Sequence, residues 1–194
     1  DRPALPGHLA FHFDHKTRRA SSYTHAGRRL AGFNSLFATA SIDAAKRYYN
    51  AFTYRQDELP PAQRLKVGLI YSFAANEADP DGLLGEEDFE TTGLDASSRD
   101  FLQDAIQDYN DLFGTSFDTS ADRFGNYYKD LSLRLKNREL DVVIVVNMFL
   151  TGFDATTLNT LWVDKNLRQH GLIQAFSRTN RILNSVKTYG NIVS

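Results

Sequence analysis

Apolar residues along this chain gather in short β-branched or aromatic runs, separated by stretches with helical spacing. The clearest run is VVIVV at 142–146, whose lack of polar alternation predicts a strand buried on both faces. Further strands are predicted at 33–40 (FNSLFATA), 65–71 (LKVGLIY), 160–164 and 189–193. Ser41 stands where a helix N-cap belongs, and Ala44, Ala45, Tyr48, Tyr49 and Phe52 give the following helix, 42–52, an apolar face. Other helices are predicted around 9–19, at 98–113, at 127–136 with Tyr128, Leu131 and Leu135, and at 171–181 with Leu172, Ile173 and Phe176.

Strands alternating with helices predict an α/β fold, three-layered, with a mainly parallel sheet. The stretch between the second and third strands far exceeds an ordinary crossover, which makes about 76–125 an insertion. The resulting division is an N-terminal helix and basic connection at 1–31, then one domain at 32–194. The sequence PDGLLGEEDFETTGLDASS within the insertion reads as an acidic, solvated loop. Its GEEDFE lacks the preceding strand that a magnesium-binding carboxylate box requires.

Composition narrows the picture. Without cysteine, disulfide scaffolds, thiolate zinc sites and cysteine nucleophiles are excluded. No apolar run approaches the roughly 20 residues of a membrane span, and a reducing cytoplasmic setting is the default expectation. The beginning, DRPALPGHL, has neither a signal peptide nor an initiator methionine and reads as part of a longer protein. The net charge of −2 conceals segregation: +6 over 1–55, −12 over 56–130 and +4 over 131–194. Basic ends around an acidic middle suit a protein that meets polyanions with part of its surface, and ordinary solvated faces fit as well. His8 and His12 have helical spacing but no acidic partner completing a zinc motif, so these histidines read as solvated or packing residues.

The candidate chemistry lies between 141 and 181. Gln174, Arg178 and Arg181 recur at spacings of four and three, stacking an amide and two guanidiniums along one helix stripe. Guanidinium stays charged and presents a planar fork to phosphate oxygens. Asp154, two residues after Gly152, suits a ribose hydroxyl, Thr151 suits a phosphate, and Ser41 opens an electropositive helix end. Surface ion pairs, a turn glycine and a plain cap account for the same residues. No G-x-x-x-x-G-K-[ST] occurs anywhere, so any nucleotide would find only one wall of its site here.

LTGFDA at 150–155 followed by DKNLRQHGLIQAFSRTNRI at 164–182 resembles motifs V and VI of superfamily 2 helicases and translocases. The fuller wording, MFLTGFDATTLNTLWVDKNLRQHGLIQAFSRTNR, resembles the restriction (motor) subunit of type I restriction–modification enzymes. FNSLFATASIDAAKRYYNAF is similar to that family's motif IV region, and VGLIYSFAANE to its next strand. The resemblance implies the second RecA-like lobe of an ATP-dependent DNA translocase in a prokaryotic cytoplasm, cut from a longer endonuclease subunit. It implies that Arg178 and Arg181 reach ATP phosphates, that Gly152, Asp154 and Gln174 lie near the nucleotide, and that Thr151 and Ser41 meet the backbone of double-stranded DNA. ATP with Mg²⁺ would be held mainly by a first RecA-like lobe elsewhere in the parent chain, and other domains would meet a methyltransferase core. The fragment alone would be silent. The competing reading is a nucleic-acid or partner-binding α/β module without nucleotide chemistry.

Overall fold

In the computed structural model the described residues are 13–17, 20–71, 91, 93–146, 155–164, 187 and 190–193. A hairpin of β1 (Ser22–His25) and β2 (Arg28–Ala31) comes first, followed by β3 (Asn34–Thr39), α1 (Ile42–Asp57) and β4 (Val67–Ile70). Then come α2 (Ala96–Phe113), α3 (Ala121–Lys136), β5 (Val142–Val146), β6 (Leu158–Val163) and β7 (Asn191–Val193). The last five strands of the chain's parallel sheet lie in the order β4-β5-β3-β6-β7.

Every residue of β3, β5 and β6 is buried, as a parallel sheet covered on both faces demands. Register assigns the layers. Leu69, Ile144, Phe37 and Trp162 form one cross-strand row. Phe37 meets Tyr48 of α1 at 4.5 Å between ring centroids, and Trp162 stacks on Phe13 at 6.3 Å. Gly68, Val143, Leu36 and Leu161 make the adjacent row, which faces the other way. A Cβ at Gly68 would come within 2.9 Å of Leu131 Cδ1, so the missing side chain is what lets α3 settle on this second face. Helices therefore flank both sides, and the fold is the three-layer α/β arrangement of a RecA-like domain.

Two expectations gain detail. The helix predicted at 98–113, within the stretch read as an insertion, forms as α2 and packs into the main core. Leu102, Ala105, Ile106 and Tyr109, at helical spacing, are all in the main core. This helix lies along β4, an edge strand, and reaches both layers: Asp108 accepts a hydrogen bond from Tyr49 of α1 at 2.9 Å, and Tyr109 meets Tyr127 of α3 edge-on at 5.0 Å. It thereby covers a sheet edge that would otherwise offer unpaired backbone groups. The acidic residues of α2 occupy its outer side, which is why composition alone made it look detached.

The basic connection before residue 31 also has structure. A two-residue turn joins β1 to β2, with Ala26 at φ 47° and Gly27 at φ 74°, the primed geometry that matches strand twist. Tyr23, Phe33 and half-buried Leu30 form a small separate core. Ahead of the hairpin, the predicted helix survives among described residues as the turn in which Thr17 N–H donates to Phe13 O at 2.9 Å.

The core is rich in buried phenols. Burial pushes Tyr23 up to about 12, and burial first, then neighbouring carboxylates, raises Tyr49, Tyr71 and Tyr109 well above the ordinary value; burial does the same for Tyr127. A group whose folded value is raised contributes stability that is present below the unfolded value and lost as pH climbs towards the folded one. Each such phenol costs ~1.4 kcal/mol per pH unit above ~10, so five act together steeply. Stability is expected to be flat through pH 9 and to collapse between roughly pH 10 and 11.5. Urea midpoints measured across that range check this, and a midpoint unchanged at pH 11 would contradict it.

Candidate functional site

The carboxyl edge of the sheet collects the candidate residues that can be placed. β3 ends at Thr39, and the backbone turns through Ala40 into α1. Ser41 is the predicted N-cap: it is extended (φ −156°, ψ 161°), and its Oγ accepts the Ala44 N–H at 3.1 Å. Its carbonyl accepts the Ala45 N–H at 3.0 Å, beginning the helical ladder. Thr39 braces the turn, its hydroxyl lying 3.1 Å from Val145 O and 3.3 Å from Ser41 O. The hydroxyl of Ser41 still has a proton to donate while its oxygen accepts.

Electrostatics here are mixed. The N-terminus of α1 carries the positive end of the helix dipole, which attracts anions. Asp43, exposed in the first turn, puts a carboxylate at the same place and opposes a phosphate. Tyr48, packed on Phe37, has its titration raised first by burial and then by the charge of Asp164. Asp164 is itself fixed, since its N–H donates to Ala38 O at 3.0 Å. Unaided, this edge offers a hydroxyl and a dipole, and a strong phosphate site needs cations from elsewhere. Among the described residues, no group of three His, Asp or Glu is placed to hold a metal ion.

β5 delivers the chain to this edge at Val146, paired in register with Thr39, and β6 delivers it at Asp164. The other predicted site residues belong to the stretches that follow these two points. Thr151, Gly152 and Asp154, and likewise Gln174, Arg178 and Arg181, lie outside the described residues.

Sequence reasoning missed an ion pair at the opposite, amino edge. Arg138, at φ 62°, binds Asp141 at 2.9 Å with both side chains largely buried. The same guanidinium donates to Ala31 O and Gly32 O, both at 3.1 Å. Asp141 in turn accepts the Lys66 N–H at 2.8 Å. One arginine thus ties the hairpin to the starts of β4 and β5. Spacing of i, i+3 was the only sequence signal, and it is indistinguishable from a surface pair.

A family model for type I restriction enzyme subunit R, domain 3, matches residues 31–194. The chain belongs to the type I restriction enzyme R subunit family. It is 42% identical over 164 residues to a type I restriction enzyme endonuclease subunit of Staphylococcus aureus (strain MRSA252), covering 84% of this chain and 16% of that protein. A Staphylococcus saprophyticus endonuclease subunit is 43% identical over 183 residues, 93% of this chain and 18% of its own length. The HindI endonuclease subunit of Haemophilus influenzae is 45% identical over 58 residues, covering 29% of this chain and 6% of that protein. The chain spans under a fifth of the length of the two staphylococcal relatives, at 16% and 18%. No described helix is long and apolar enough to cross a membrane.

Proposed function

We propose that this domain is the second RecA-like lobe of an ATP-dependent DNA translocase motor within a type I restriction endonuclease. The observation that carries the reading is the joint one of family membership over 31–194 and a chain without any phosphate-cradling P-loop. A lobe of this kind completes a site and does not contain one. Arg178 and Arg181 are the groups that would meet ATP phosphates across the cleft, with Gln174, Gly152 and Asp154 alongside. Ser41 and Thr151 would touch the backbone of double-stranded DNA. ATP with Mg²⁺ would sit mainly on the first lobe of the parent chain, and a methyltransferase core would be reached through other domains. At Ser41 the described edge supplies dipole and hydroxyl, and the adjacent Asp43 carboxylate means that cations from elsewhere would have to strengthen any phosphate contact.

The resulting chemistry is positional. Phosphoryl transfer to water needs charge stabilisation on the transferring group, and guanidiniums supply it without proton exchange. Contacts to a phosphate backbone without base readout would be sequence-independent and weakened by salt.

The isolated chain is expected to show no DNA-stimulated ATP hydrolysis. A phosphate-release assay with duplex DNA checks this; turnover above background that disappears in Arg178→Ala would overturn the half-site reading. The competing module without nucleotide chemistry requires that the parent polypeptide lack G-x-x-x-x-G-K-[ST] before this segment, which its sequence decides directly.

A further inference from the structure

From Lys16 to Ala31 the chain holds five Lys/Arg and no Asp/Glu, and this basic stretch contains the β1–β2 hairpin. Register turns Tyr23 and Leu30 inward onto Phe33, leaving Ser22, Thr24, Arg29 and Ala31 on the outer face. Arg29 donates to Ser22 Oγ at 2.6 Å, so its guanidinium lies across that face beside the hydroxyls. Arg28, paired with His25 beside the turn, falls on the side of Tyr23 and Leu30, yet at the tip its side chain is still 55% exposed. Its contact with Glu139 is long, 3.8 Å, whereas Arg134 holds the other oxygen of Glu139 at 2.7 Å. An exposed pair at that distance contributes little, and a phosphate oxygen can replace the carboxylate.

The hairpin is also held rigidly. Tyr23 stacks on Phe33 at 4.7 Å, and Arg138 grips the carbonyls of Ala31 and Gly32. A short two-stranded hairpin is marginal alone, so these anchors fix the outer face in place.

We propose that the β1–β2 hairpin contacts the phosphate backbone of duplex DNA through Arg29 and the hydroxyls of Ser22 and Thr24 on its outer face, with Arg28 reaching the backbone from the exposed tip. This rests on the reading that the lobe meets duplex DNA and adds a contact separate from Ser41. The hairpin enters the sheet at the amino end of β3, and Ser41 lies past its carboxyl end. The six residues of β3 at ~3.3 Å each lie between the two, a strand about 20 Å long, so the hairpin would be a contact distinct from Ser41. A nucleic acid suits this face better than an acidic protein does. Protein interfaces centre on large apolar or aromatic anchors, and the exposed apolar residues of this hairpin are the small Ala26 and Ala31. Guanidiniums beside small hydroxyls are the groups that bind DNA backbone.

The test is fluorescence anisotropy of a labelled duplex of arbitrary sequence titrated with the 194-residue chain over a series of salt concentrations. The double variant Arg28→Gln/Arg29→Gln is expected to bind on the order of 10-fold more weakly at low salt, with the slope of log K against log[salt] shallower by about two. Its thermal midpoint and Trp162 fluorescence should match those of the parent chain, which excludes misfolding. Ser22→Ala/Thr24→Ala, removing hydroxyls only, should weaken binding a few-fold without changing the slope. Unchanged affinity and slope in the arginine variant would overturn the hairpin contact; if Ser41→Ala then weakened binding, DNA contact by the lobe would stand without the hairpin. No duplex binding by the parent chain at low salt would overturn both. A variant that loses polyglutamate binding while keeping duplex binding would assign the face to an acidic protein and overturn the proposal.

Discussion

In the intact endonuclease subunit, Arg181→Ala is expected to reduce DNA-stimulated ATP hydrolysis by about 10³- to 10⁵-fold while changing ATP affinity only a few-fold. The asymmetry follows from where charge appears. On the proposed reading, ground-state ATP would already be neutralised by its metal and by the lobe that cradles it, so a guanidinium arriving from a second lobe would matter most as charge redistributes during transfer. A loss of 10³ corresponds to about 4 kcal/mol of transition-state stabilisation, within the range of one well-placed donor. Arg181→Lys sharpens the test. Lysine keeps the charge and loses the planar fork, so it should recover only part of the rate. Arg178, three residues earlier on the same predicted stripe, should respond in the same direction. Steady-state hydrolysis combined with nucleotide-binding titration separates the two effects. Normal turnover in Arg181→Ala would remove that residue from the phosphate site, and a loss confined to binding would make it a ground-state contact.

How much of this was legible without coordinates depended on the physics of each element. The Val142–Val146 strand announced itself because a strand buried on both faces tolerates only apolar side chains. The cap at Ser41 was legible because few residues satisfy the first N–H groups of a helix, and a hydroxyl following a strand is one. The hairpin was not, because each of its strands buries a single large apolar residue, Tyr23 or Leu30, among serine, threonine and arginine. Two points cannot establish alternation; the Ala26-Gly27 turn was the usable signal. The first turn of α3, from Ala121, was hidden likewise: Asp122, Arg123 and Gly125 surround a lone buried Phe124. For the site, the expectation at Arg178 and Arg181 rests on motif wording, since an Arg pair at i, i+3 looks the same on a solvated face. Of the candidate site residues, Ser41 has a described geometry, that of the predicted helix N-cap, with the carboxylate of Asp43 beside it.

The pair Arg138–Asp141 carries the largest expected effect on stability. Arg138→Ala removes a guanidinium that serves Asp141 and two backbone carbonyls, leaving a carboxylate that is 10% exposed without its cation. Breaking such a pair from one side costs on the order of 3–5 kcal/mol, because the remaining charge stays buried. For a domain of this size that lowers the thermal midpoint by roughly 10 °C. Backbone conformation provides an internal control. Arg138 adopts φ 62°, a region costly for any residue with a Cβ. Arg138→Gly loses the same ion pair but relaxes the backbone, so it should be about 1 kcal/mol more stable than Arg138→Ala. Pairing the change with Asp141→Asn should recover part of the loss, since the orphaned charge disappears and the Lys66 N–H keeps an acceptor. Chemical denaturation of the three variants decides the matter. If Arg138→Ala costs less than about 1 kcal/mol, the pair behaves as an ordinary surface contact. The hairpin would then need another anchor to hold Arg28 and Arg29 in place.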